Sequence, residues 1–197
     1  MDAILEATTH IVLRHGYEGM TTNHVAERAG VSIGSLYQYF PSKEALVAAV
    51  LQKNADDNFA VMAGVLEQAD GLPLAEVIRL SVEAMAQLHR NNLTWHGAIV
   101  DCSSRIDAAE WEQELNERIS TLTIAFLERY RDEMRPGIDL EVAMIVIRNI
   151  GHSVFEHAIQ NDPELFDNAR VTAEIASATM AYLTGSGAVE PARASAA

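Results

Sequence analysis

The sequence predicts an all-α chain of about nine helices that opens on a helix-turn-helix, and three observations carry that prediction. Residues 17–46 read as two short helices meeting at a glycine-containing turn, with a third helix starting just beyond. Ala, Leu, Glu and Ile dominate the 197 residues, while only 5 prolines and 11 glycines occur, mostly where helices would end. No segment shows the strict apolar/polar alternation of a half-buried strand, and no internal repeat is visible.

Taken in order, Ile4, Leu5, Ala7, Thr8, Ile11 and Val12 recur at helical spacing, so residues 2–15 form the first helix and His15-Gly16 stops it. Thr22 stands where an N-cap belongs, Val25, Ala26 and Ala29 make one apolar face, and Gly30 ends the second helix in a left-handed conformation. Ser32 is the cap of the third helix, which carries Ile33, Leu36 and Tyr37. Pro41 cannot continue that helix but suits the first turn of the next. This fourth helix, with Leu46, Val47, Val50 and Leu51, runs to about Leu66, and Ala69-Asp70-Gly71-Leu72-Pro73 breaks it.

A fifth helix spans Leu74 to Arg90, and a short one covers about Trp95–Ser103. A long helix follows from Asp107 to about Met134, with Trp111, Leu115, Ile119, Leu122, Phe126 and Tyr130 on one stripe, and Arg135-Pro136-Gly137 terminates it. Asp139 caps a helix from Leu140 to about Gln160. The last helix begins at Glu164 or Asn168 and ends at Leu183. Residues 185–197 are small, polar or Ala/Gly/Pro-rich and read as a disordered tail.

A helix, a tight turn and a second short helix lay side chains into the DNA major groove. The ordered residues Gly16-Tyr17, Thr21-Thr22, Val25-Ala26, Ala29-Gly30-Val31-Ser32, Gly34-Ser35-Leu36-Tyr37, Tyr39-Phe40 and Ser42-Lys43-Glu44-Ala45-Leu46 resemble the DNA-binding domain of the TetR family of repressors. The resemblance covers residues 2–48; beyond them the chain matches only in being helical and of suitable length. It implies a helix-turn-helix domain over 1–48 and a ligand-binding and dimerisation domain over 49–184. It also implies phosphate contacts from Thr22, Ser35, Tyr37, Tyr39 and Lys43, and base-edge readers at Asn23, His24, Ser32, Ile33 and Gly34. Asn23 has the paired donor and acceptor that suit adenine, Ile33 can pack on a thymine methyl, and Gly34 leaves room for close backbone approach. Val25, Ala29, Val31 and Leu36 would be core. Thr22 and Ser32 cap helices whether or not DNA is present. Tyr37 and Tyr39 are either phosphate contacts or packing residues, and His24 either a base contact or a solvated side chain.

The charge balance is unusual for that role. The formal net charge is −14, and residues 1–50 hold Arg14, Arg28 and Lys43 against Asp2, Glu6, Glu18, Glu27 and Glu44, a net of −2. Any basic arm ahead of the first helix is short, absent or truncated. At 49% hydrophobic residues the chain is globular, and no apolar run approaches the roughly 20 residues of a membrane span. No signal-peptide pattern opens it. One cysteine, Cys102, excludes an internal disulfide framework, and a cytoplasmic location is expected.

By the same resemblance the body takes a small-molecule effector that separates two DNA-reading heads. The residues proposed to line its cavity are Met85, Leu88, His89, Trp95, His96, Ile99, Trp111, Phe126, His152 and Phe155. They are Met- and aromatic-rich with few charges, which suits an apolar or aromatic effector; ordinary core is the competing assignment. Trp95-His96 is the leading pair, since it follows a polar break. His152 and Glu156 share a helix face, and His89 and His96 are seven apart, but no dense ligand cluster accompanies them, so neither metal nor cofactor is expected. Cys102 lies near Arg105, which favours a thiolate, while a buried inert thiol is the simpler alternative.

The last two helices carry broad apolar faces with small residues that permit close approach. Ile147, Ile150, Gly151, Val154, Ala158, Ala176 and Thr179 are expected at a homodimer interface, or else packed against the long helix over 107–134. The expected function is a homodimeric, ligand-responsive repressor that binds a pseudo-palindromic double-stranded DNA operator. Two alternatives stand beside it: a helical interaction protein whose head has lost DNA binding, and an enzyme. Against the enzyme, no nucleophile elbow, phosphate-cradling glycine loop or metal triad is present.

Overall fold

The computed structural model describes residues 1–91, 106, 109–162, 164–165 and 168–186. Among these the chain is all-helical: α1 (Asp2–Gly19), α2 (Thr22–Ala29), α3 (Ile33–Tyr39), α4 (Lys43–Gln68), α5 (Leu74–Asn91), α6 (Ala109–Arg129), a 3₁₀ turn (Arg131–Glu133), α7 (Leu140–Asn161) and α8 (Ala169–Thr184). The helix expected over 95–103, Cys102 with Arg105, the cavity residues Trp95, His96 and Ile99, and tail residues 187–197 all lie outside the described residues. No helix among those described is long and apolar enough to cross a membrane. Contacts group the chain into two compact units, Met1–Val61 with Leu88–Ile119, and Met62–Gln87 with Ser120–Ala197.

The first unit is built around α1. Its apolar face buries Ile4, Leu5, Ala7, Ile11 and Val12, and Thr8 joins that face fully buried because its hydroxyl donates to the Ile4 carbonyl at 2.7 Å. Helical geometry breaks at Gly16 (φ 69°, ψ 176°), a left-handed position, and the break turns Tyr17 and Met20 into the core. Val25, Leu36, Leu46 and Val47 have no solvent-exposed surface, so α2, α3 and the start of α4 all close onto the same cluster. Ala29 and Val31, expected as core, are half-buried at its margin. Ile106 and Trp111 also pack against this cluster, and Arg118 on α6 holds Asp56 at 2.5 Å while lying over the Phe59 ring.

The second unit buries Leu74, Val77, Ile78, Phe126, Leu127, Tyr130, Met134, Ile138, Leu140, Ala143 and Leu183. α6 stops at Arg129, short of the expected Met134, for tertiary reasons. The Tyr130 hydroxyl donates to the Leu72 carbonyl at 3.0 Å, and Glu133 turns its carboxylate to accept from the Leu74 N–H at the start of α5. Those two contacts favour the tighter 3₁₀ turn. Asp139 caps α7 as expected, accepting from Glu141 and Val142, and Asn168 caps α8. Gly185 (φ 78°) closes α8, and the Arg135 N–H donates to the Leu183 carbonyl there.

Candidate nucleic-acid interface

Two consecutive threonines stand at the start of α2, and the structure settles which of them is the cap. Thr21 is extended (φ −125°, ψ 148°), and its side chain accepts from the His24 N–H at 3.3 Å. Thr22, the expected cap, is instead the first helical residue. Its hydroxyl is free of the capping role and lies 3.0 Å from the Tyr37 hydroxyl on α3. Gly30 ends α2 in the left-handed region (φ 69°, ψ 28°), and the Val31 N–H reaches back to the Ala26 carbonyl at 3.0 Å. Ser32 caps α3 by accepting from the Ser35 N–H at 3.0 Å, and the two serine hydroxyls are 2.8 Å apart.

Because Val25 and Leu36 are fully buried, the opposite faces of α2 and α3 point outward. Asn23, His24, Ser32, Ile33 and Gly34 are all exposed, whereas Thr22 and Ser35 are half-buried. Tyr37 and Tyr39 are 48% and 57% exposed, more than packing residues would be. Ile33 leaves an apolar side chain 38% exposed at the first position of α3. At Gly34 an added Cβ would meet only the Ser32 Oγ, at 3.8 Å, and the backbone is not left-handed. Among the described residues, neither local conformation nor packing therefore demands a glycine there.

Lys43 opens α4, with its ammonium 4.1 Å from the centroid of the Tyr17 ring. The Tyr17 hydroxyl donates to the Glu44 carboxylate at 2.9 Å. Glu44 is held below the ordinary carboxylate range first by a backbone N–H, then by the side chains of Ser42 and Tyr17. The anion beside Lys43 is thus engaged by other donors.

The expected cavity residues divide between the units. Leu88, His89 and Trp111 belong to the first, where Trp111 packs against the first core cluster. Met85, Phe126, His152 and Phe155 belong to the second. There Phe126 is buried against Tyr130, with ring centroids 4.9 Å apart, Phe155 is 2% exposed, and His152 faces solvent. Among the described residues no group of three His, Cys, Asp or Glu is placed to hold a metal.

The expected interface residues also sort by face. On α7, Ile147 packs on the second core, Ala158 is buried, and a Cβ at Gly151 would meet Phe155 and Ile175 of the same chain. Ile150 and Val154 are half-buried. On α8, Thr179 is buried with its hydroxyl on the Ile175 carbonyl, and Ala176 packs on the core. The outward stripe of α7 is Val142, Ile145, Asn149 and His152, of which Val142 and Ile145 are 50% and 51% exposed. Ile145 belongs to the apolar face that the sequence offers for an interface, whereas Val142 is not singled out there. Their 3–4 spacing to Asn149 and His152 was visible, but which face looks outward was not.

Comparison with known proteins places these features in a family. The description "bacterial regulatory proteins, tetR family" matches residues 4–50, and "tetracyclin repressor-like, C-terminal domain" matches residues 73–183. The HTH-type transcriptional repressor KstR of Mycolicibacterium smegmatis is 42% identical over 66 residues, covering 31% of this chain and 32% of that protein. The HTH-type transcriptional regulator RutR of Escherichia coli is 43% identical over 84 residues, covering 41% of this chain and 39% of that protein. The matched stretches thus span well under half the length of these curated relatives. In fold, the transcriptional regulator FadR of Bacillus subtilis, solved in complex with stearoyl-CoA, aligns with a TM-score of 0.72 at 17% identity over 92% of this chain and 98% of that one.

Proposed function

The chain belongs to the TetR family of bacterial regulatory proteins, and from that premise we propose that it is a cytoplasmic, homodimeric repressor released from its operator by a small molecule. The observation that carries this is the outward face of α2 and α3. Ile33 and Gly34 stand exposed at the start of the short second helix, flanked by the hydroxyls of Thr22, Ser35, Tyr37 and Tyr39. Hydroxyls and one lysine fix register on phosphates, while Asn23, His24, Ser32, Ile33 and Gly34 meet base edges.

The test is selection of duplexes from genomic fragments at low salt, followed by titration with variants. Lys43→Ala and Tyr37→Phe weaken binding to all duplexes alike, and Lys43→Ala lowers the salt slope by about one. Asn23→Ala relaxes preference at one base position, costing ~1–3 kcal/mol there. A protein that retards no selected duplex sinks the proposal. The net charge of −2 over residues 1–50 favours one rival, a helical interaction protein with a degenerate head. That rival gives no duplex retardation at any salt concentration.

In this proposal residues 1–48 are the reading head, 49–184 hold effector and dimer functions, and α4 is the lever between them. A ligand lowers operator affinity only to the extent that it prefers a state with mismatched head spacing. The effector is apolar or aromatic and contacts Trp95 and its neighbours. The stearoyl-CoA held by the Bacillus subtilis fold relative makes long-chain acyl-CoA a reasonable first compound to try. Trp95 and Trp111 are the only tryptophans. An effector that releases DNA without changing tryptophan fluorescence, and binds Trp95→Ala unchanged, puts the site elsewhere. The dimer forms through α7 and α8, with Val142 and Ile145 joining the seam as its outward apolar residues.

A further inference from the structure

We propose that Tyr17 is a positioning residue for DNA binding: its ring stations the Lys43 ammonium for a phosphate, and its hydroxyl anchors the ring to Glu44. The proposal rests on the DNA-binding function argued above and adds to it a residue with no place at the reading face.

Lys43 and Glu44 are consecutive on α4, and neighbouring helical residues do not face each other. Both nonetheless reach one tyrosine, Lys43 on the ring face at 4.1 Å and Glu44 on the hydroxyl at 2.9 Å. The tyrosine is fixed in turn. It is only 8% exposed, part of the first core cluster, and enters that cluster through the left-handed turn at Gly16. A lysine stem has high rotamer entropy, and binding a phosphate ordinarily removes it. A rigid aromatic face removes part of it in the free protein.

The same arrangement deals with the neighbouring anion. A free carboxylate next in sequence would compete with a phosphate for the ammonium. Here the Glu44 carboxylate accepts from its backbone, from Ser42 and from Tyr17, and those donors keep it ionised and engaged. With Tyr17 and Ser42 both donating to the Glu44 carboxylate, Lys43 rests on the ring and not on Glu44. A phenylalanine at position 17 would keep the ring but lose the anchor. A leucine would lose both.

The experiment uses the full chain as Tyr17→Phe, Tyr17→Leu, Lys43→Ala and the Tyr17→Leu/Lys43→Ala double variant. Carbon–proton spectra report whether the Lys43 side-chain ε protons are shifted upfield by the ring. Fluorescence anisotropy with a mixed-sequence duplex over a salt series reports phosphate binding. In the wild type the ε protons are shifted upfield; in Tyr17→Leu the shift is lost, and affinity falls roughly three- to tenfold. Adding Tyr17→Leu to Lys43→Ala costs nothing more, because the tyrosine acts through the lysine. Losses that multiply in the double variant identify a merely structural role and overturn the proposal. If Tyr17→Leu does not fold, Tyr17→Phe decides: a reduced upfield shift with weaker binding supports the anchor, and an unchanged shift and affinity overturn it. A wild type without the upfield shift overturns the placement of Lys43 itself. A wild type with the shift but no affinity for duplex overturns the DNA-binding function, and with it the purpose assigned to Tyr17.

Discussion

Gly34→Ala separates what α3 needs to fold from what it needs to bind. Within the free chain the new methyl has room, since its nearest neighbour is the Ser32 Oγ at 3.8 Å. The residue is helical and its φ is not positive, so alanine adopts the same backbone without strain. Replacing a helical glycine by alanine ordinarily stabilises by about 0.5–1 kcal/mol through lost unfolded-state freedom. For a chain of this size that corresponds to a rise in Tm of about 1–4 °C. Against DNA the sign reverses. A methyl inserted into a close-packed contact costs typically ~1–3 kcal/mol, or on the order of ten- to a hundredfold in affinity. Differential scanning calorimetry and anisotropy titration on the same preparation give both numbers. Operator affinity that survives the substitution refutes close approach at Gly34. A Tm that drops by several degrees refutes the claim that the glycine serves nothing within the chain.

Thr21→Ala removes the cap of α2 and lowers stability by about 1 kcal/mol, whereas Thr22→Ala leaves Tm nearly unchanged and weakens duplex binding; urea melts of both variants check this. Ile145→Glu puts a charge on the outward stripe of α7 and yields a folded monomer by sedimentation, where Gly151→Glu, facing Phe155 and Ile175 of its own chain, lowers Tm first. Glu44 has its folded-state pKa lowered by hydrogen bonds, so its contribution is complete above the unfolded carboxylate value, about 4.3, and is lost as pH falls through the lower folded value. Glu44→Gln therefore flattens the acid limb of the stability profile, as measured by urea midpoints at stepped pH, and leaves the neutral region's slope alone.

The helix boundaries were largely legible because they rest on local chemistry. Ser32, Asp139 and Asn168 cap the helices they precede, and Gly30 and Gly185 end theirs in the left-handed region that glycine occupies without penalty. Thr21 and Thr22 were a different matter. Either hydroxyl can cap, and the choice falls to Thr21 where the Thr22 hydroxyl pairs with Tyr37, fifteen residues along on another helix. The exposure of Tyr37 and Tyr39 likewise depends on Leu36 and Phe40 turning inward.

What the sequence by itself determined is the set of helices among the described residues and the identity of the reading head, since caps, turn glycines and 3.6-residue periodicity all act within a few residues. Tertiary structure alone decided the partners of each apolar face. Trp111 and Phe126 share one stripe on α6, yet Trp111 packs on the first core and Phe126 in the second. Ile147 and Ile145 are two residues apart, yet one is packed inward and the other is half in solvent. Periodicity says that a helix has an apolar side. It does not say what that side meets, because apolar burial is non-directional and the neighbour comes from residues far away in the chain.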